Sequence, residues 1–156
     1  MTNGQTILSL IFYLLVFLSL VIISWIDFKT SIIPNQITLP LILIGIGWNY
    51  ISLDAFCSLI ESISGALLGY FLIRTLDFLY RKFDDREAIG QGDAKLLAAI
   101  GAILGWKMVV PALWVAALLV LTFVMTQRTL TKKYNPKYMP FGPFLCVSLT
   151  ILLIYL

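Results

Sequence analysis

The 156-residue sequence has no histidine, only two cysteines, and charge on just 12% of its residues. Each shortage excludes something. Cys57 and Cys146 lie far apart, both inside apolar stretches, so they build neither a disulfide framework nor a metal site of CxxC spacing. They read as packing residues. Without histidine or a cysteine cluster, a zinc hydrolase lacks its usual ligands, and no metal or other cofactor is expected. Soluble domains carry about 25% charged residues; a chain this poor in charge and 60% hydrophobic cannot cover its apolar surface in water. The net charge is +3, and the basic residues form no aromatic-interleaved stripe of the kind that follows a nucleic-acid backbone, so no nucleic-acid partner is expected. The chemistry that remains is that of Asp, Glu, Ser, Thr, Tyr and Lys.

What the chain does have is long apolar blocks separated by short charged or proline-containing stretches. A helix that crosses a bilayer needs about 20 mostly apolar residues, with about 17 as the short limit. Six segments approach this: Ile7 to Ile26, Ile37 to Ile51, Ala55 to Ile73, Ala94 to Trp106, Val109 to Met125, and Phe141 to Leu156. The expected fold is all-α, a polytopic transmembrane bundle of about six spans, forming one domain over residues 1–156 with the lipid bilayer as its solvent. The run from Leu96 to Met125 is too long for one span and divides near Gly105, Trp106, Lys107 and Pro111. Gly45 and Gly47 suggest close helix contact. The first segment lacks the basic start of a signal peptide and is read as a retained helix. Asp77 to Gly92 reads as one solvated loop.

Orientation follows from lysine and arginine. Lys29 lies between segments one and two; Arg74, Arg81, Lys82, Arg86 and Lys95 lie at or between three and four; Arg128, Lys132, Lys133 and Lys137 lie between five and six. Only Lys107 is left for the other side. The positive-inside rule therefore puts these three connections in the cytoplasm and both termini outside.

Two carboxylates stand at cytoplasmic span boundaries. Asp27 closes the first segment in Ser24-Trp25-Ile26-Asp27-Phe28, and Asp93 precedes the fourth in Gly90-Gln91-Gly92-Asp93-Ala94-Lys95. Helix ends on one face of a small bundle are neighbours, so the two can converge. Aspartic proteolysis needs such a pair: one carboxylate activates water, and its partner stays protonated to polarise the scissile carbonyl. Plainer readings stand beside this one. Asp93 has the form of an N-cap, Asp27 that of a hydrated interfacial charge, and the residues alone do not decide.

Three runs carry a resemblance. Asp27-Phe28-Lys29-Thr30-Ser31-Ile32-Ile33-Pro34-Asn35, continuing to Thr38-Leu39-Pro40, resembles the first aspartate motif of the bacterial prepilin peptidases, the type IV leader peptidases. Gly90-Gln91-Gly92-Asp93-Ala94-Lys95-Leu96-Leu97-Ala98-Ala99 is similar to their second, the GxGD motif, and Pro140-Phe141-Gly142-Pro143-Phe144-Leu145 to the run that leads into their last helix. The three occur in family order, each at an expected cytoplasmic boundary. The resemblance implies an aspartic endopeptidase of the cell inner membrane, with Asp27 and Asp93 as the catalytic pair. It would cleave the basic leader from type IV prepilin or type II secretion pseudopilin precursors at the cytoplasmic face. Gly90 and Gly92 are then expected to let the backbone bend and bring Asp93 to substrate, Lys95 either to orient substrate or lipid or to snorkel, and Pro34 and Pro140 to shape the approach to their helices. Asp77, Asp84, Asp85 and Glu87 are candidates for attracting the basic leader, against the plain reading of an exposed mixed-charge loop.

Long family members carry an additional N-terminal region whose paired CxxC motifs are associated with N-methylation of the trimmed pilin. This chain begins almost at its first span without those cysteines, so methyl transfer is not expected of it. Other readings are an archaeal-type preflagellin peptidase, disfavoured by the Pro-Phe-Gly-Pro run, a small transporter, whose carboxylates belong nearer mid-membrane, and a non-catalytic membrane assembly factor.

Overall fold

The computed structural model describes residues 3–82, 90–130 and 140–155. They form six helices: α1 Asn3–Thr30, α2 Asn35–Ile51, α3 Leu59–Arg81, α4 Gln91–Leu104, α5 Trp106–Leu130 and α6 Gly142–Tyr155. Of these, α1, α3 and α5 are long and apolar enough to cross a membrane, while α6 is a shorter apolar helix. Their outward residues, such as Leu10, Phe17, Trp25, Phe71 and Trp114, are exposed. This suits hydrocarbon, since lipid tails are as apolar as the side chains they meet.

The innermost helix is a short one. In α4, 14 residues long, Asp93, Ala94 and every residue from Leu96 to Leu104 are buried, as expected of a helix apolar all round. It packs against α2, α3, α5 and α6. Gly65 of α3 and Gly101 of α4 make the closest approach. A Cβ on either would strike the other's backbone carbonyl, so any side chain there would push the helices apart. The single residue Gly105, at φ +83°, separates α4 from α5. It is the break expected near Trp106, made by one left-handed residue that few side chains tolerate.

A polar clamp closes one end of the bundle. The buried Asn49 amide donates to the carbonyls of Ala102 and Ile103 at 3.0 and 2.9 Å, and its oxygen accepts from the N–H groups of Phe56 and Cys57 at 3.0 and 3.3 Å. These are the orphan acceptors of the α4 C-terminus, joined by one side chain to the loop before α3. At the same end Ser58 and Glu61 form a capping box, and Lys107 pairs with Glu61 at 2.7 Å.

Two expectations change. The third helix continues to Arg81, past Ile73. Asp77 is therefore not in a solvated loop: it is a buried helical residue accepting from Arg81 Nε at 3.0 Å, with Arg74 at 3.8 Å. A leader cannot be drawn to a carboxylate so buried and paired. Asp84, Asp85 and Glu87 lie outside the described residues, as do Arg86, Lys132, Lys133 and Lys137.

Candidate active site

α1 ends because Ser31 turns left-handed at φ 52°. Its N–H caps the Asp27 carbonyl at 2.8 Å, and the Thr30 hydroxyl donates to the Ile26 carbonyl. Asp27 thus sits in the last turn of α1, inside the helix. After Ile32 and Ile33, Pro34 caps α2 in an extended conformation at φ −73°, ψ 130°, and its carbonyl accepts from the N–H groups of Ile37 and Thr38. Pro34 shapes this turn and does not line the cavity described next.

α4 starts at the same end of the bundle. Gly90 is its N-cap in an extended conformation, and Asp93, the third helical residue, donates its N–H to the Gly90 carbonyl at 3.1 Å. The Gly90 N–H bonds back to the Asp93 carboxylate, the return half of a capping box. Asp93 is therefore not the N-cap. Neither glycine needs a left-handed backbone, which among the described glycines belongs to Gly105. The expected backbone bend is replaced by a steric requirement at Gly92, where a Cβ would stand 2.6 Å from Ile33 Cβ.

A cavity of about 380 Å³ opens between these elements, lined by Asp27, Ser31, Ile32, Ile33, Asn35, Gly90, Gln91, Gly92, Asp93 and Lys95. Both aspartates are buried, at 3% and 8% exposure. Asp27 Oδ2 accepts the Gly142 N–H at 3.0 Å, so the first amide of α6 holds it. Favourable helix-terminal charge reaches only that first turn. Asp93 precedes the apolar segment that starts at Ala94. Burial, and then the neighbouring Asp27 carboxylate, push it up to about 7 against the smaller opposing effect of the Gly90 N–H. Lys95 lines the same cavity and donates to Asn35 Oδ1 at 2.6 Å.

Of the residues singled out from sequence, Asp27, Asp93, Gly90, Gly92 and Lys95 come together here and Pro34 stands behind them. Sequence reasoning missed Ser31, Ile32, Ile33, Asn35 and Gln91 as lining residues, and the Gly142 amide as a partner of Asp27. Gly142 lies within a run that reads as a motif, but which carboxylate its N–H meets depends on how α6 packs.

The arrangement can support water activation by one carboxylate and proton donation by the other. The type IV leader peptidase family model matches residues 14–125, a range that includes Asp27 and Asp93. The chain is 37% identical over 129 residues to a prepilin leader peptidase/N-methyltransferase of Pectobacterium carotovorum subsp. carotovorum, covering 83% of this chain and 46% of that protein. A protein of the same name from Dickeya chrysanthemi is 36% identical over 90% of this chain and 49% of its own length, and one from Aeromonas hydrophila 34% identical over 87% and 46%. The chain thus spans about half the length of these curated relatives. No solved structure matches it. With more than two thirds of its length inside the family model and identity above 30% over most of the chain, it belongs to the type IV leader peptidase family.

Proposed function

We propose that the 156 residues act as one transmembrane unit, a membrane aspartic endopeptidase that removes the basic leader from prepilin or pseudopilin precursors. The observation that carries this reading is the burial of Asp27 and Asp93, from two separate motifs, around one cavity at one end of the bundle. Two neighbouring carboxylates cannot both ionise readily and share a proton. The ionised partner takes a proton from water as the oxygen attacks the scissile carbonyl carbon. The protonated partner polarises that carbonyl, and a proton then passes to the amine as the C–N bond breaks. Lys95, tied to Asn35 on the cavity wall, orients substrate at the mouth.

The cavity end is taken as the cytoplasmic one. Lys29, Arg81, Lys82, Lys95 and Arg128 lie at or near helix ends on that side, and Lys107 lies with Glu61 at the other. The proposed reaction is cleavage alone: the "N-methyltransferase" in the relatives' names is not carried over to a sequence with two separated cysteines.

The test is cleavage of a leader-bearing pilin precursor by purified protein in liposomes. Asp27→Asn and Asp93→Asn should each abolish cleavage while inserting and melting as a folded protein. The double variant should be no worse than either single one, because residues that act as a unit are not additive. Full activity in either single variant overturns the mechanism.

A further inference from the structure

Three motifs meet on one apolar side chain. Ile33, 7% exposed, follows Asp27 in the short link between α1 and α2. Its Cβ lies 2.6 Å, and its Cγ1 3.2 Å, from where a Cβ on Gly92 would stand. Its far end, Cδ1, lies 2.9 Å from the corresponding point on Gly142. Gly92 immediately precedes Asp93, and Gly142 is the residue whose N–H holds Asp27. The Gly142 position is closed from both sides, since its Cβ would also lie 2.6 Å from Asp27 Oδ2. The root of Ile33 therefore bears on the first turn of α4 and its tip on the first turn of α6. These are the two helix starts that carry or hold the carboxylates.

We propose that Ile33 is a positioning residue, a spacer gripped between Gly92 and Gly142 that sets the separation of the Asp27 and Asp93 carboxylates. Protein interiors are close-packed and transmit small displacements, and positioning catalysis loses up to about a hundredfold for about an ångström of misplacement. Glycine at 92 and 142 is what lets a β-branched side chain fill the gap directly against both backbones. A β-branched residue is stiff at χ1, which suits a gauge better than a flexible side chain would. The other titratable groups near the pair are Lys95 on the cavity wall and the Cys146 thiol of α6.

This inference rests on the proposed carboxylate pair, and the experiment separates the two. Ile33→Val removes only the tip that faces Gly142, and Ile33→Ala removes Cγ1 as well, leaving Cβ alone against Gly92. Each is assayed for leader cleavage in liposomes across pH, with thermal melting to establish that it is folded. For Ile33→Val, kcat should fall about tenfold with KM within about twofold. Its bell-shaped kcat profile should narrow by about half a pH unit, because carboxylates that drift apart couple less and their two apparent pKa values converge. Ile33→Ala should show both effects more strongly. An unchanged kcat in folded Ile33→Val, or a fall in kcat with no change in the width of the bell in either folded variant, overturns the spacer. Cleavage by Asp27→Asn or Asp93→Asn would instead remove the carboxylate pair itself, whatever Ile33 does.

Discussion

Asp93 is held where its charge is disfavoured, and that has a sign that can be measured. Its carboxyl titrates near 7 in the folded protein, against an ordinary value of 3.8. The folded state therefore keeps a proton that the unfolded state has lost across that interval, and stability falls as pH rises through it. Asp93→Asn cannot ionise, so it should melt higher than the parent at pH 8, with the difference shrinking towards pH 5. An equal difference at both values would show that burial of the charge is not what the asparagine relieves. At Gly142 the expectation is steric. Gly142→Ala puts a methyl group against Asp27 Oδ2 and the tip of Ile33, and should lower cleavage by about a hundredfold in a protein that still inserts. Wild-type turnover by that variant would mean that α6 yields without disturbing Asp27.

Among the elements, α4 was the hardest to read and is the most constrained. Fourteen residues at a rise of about 1.5 Å make about 21 Å, too short to cross hydrocarbon by itself. Its apolar run carries no face to orient it because every side packs against protein. What fixes it is distributed: the Gly65 contact to Gly101, the Ser62 hydroxyl on the Ala102 carbonyl at 2.5 Å, and the Asn49 clamp. Asn49→Ala leaves four backbone groups without their side-chain partner, and unsatisfied buried groups cost about 1–3 kcal/mol each. The variant should lose about 2 kcal/mol or more, read as a lower melting temperature in detergent. The folded fraction should cleave at the parental rate, because α2 is 17 residues long and Asn49 lies near the opposite end of it from Asn35 and the cavity. A large kcat loss in that fraction would tie the clamp to the chemistry.

For the whole molecule, the alternation of six helices places Asp27 and the starts of α2, α4 and α6 at one end, with Asp54 and the Glu61–Lys107 pair at the other. Reporter fusions after Arg81 and Lys133 should report cytoplasm, and fusions near Asn49 and at Leu156 the far side; a cytoplasmic report at Leu156 overturns the orientation. The residues that line the cavity supply carboxylates, a lysine and amides, with no histidine anywhere in the chain. Cleavage should accordingly survive strong chelators, and activity lost to chelator and restored by zinc would contradict a carboxylate-only mechanism.

Composition alone determined that the solvent is lipid and the fold helical, because 60% hydrophobic residues in blocks admit few structures in which backbone polar groups are satisfied. The span boundaries put Asp27 and Asp93 at helix ends on one side, from which they could converge, while the cavity they share came only with the packing. Two other things were not legible. The extension of α3 to Arg81 was hidden because the charges from Asp77 onward look like a solvated loop until i,i+3 and i,i+4 pairing ties Arg74 and Arg81 to a buried Asp77. The placement of Ile33 between Gly92 and Gly142, and the bond from the Gly142 N–H to Asp27, depend on three helix starts meeting. That meeting is decided by how closely α4 is packed among its neighbours, and local sequence carries no record of the distance between backbones that only tertiary packing brings together.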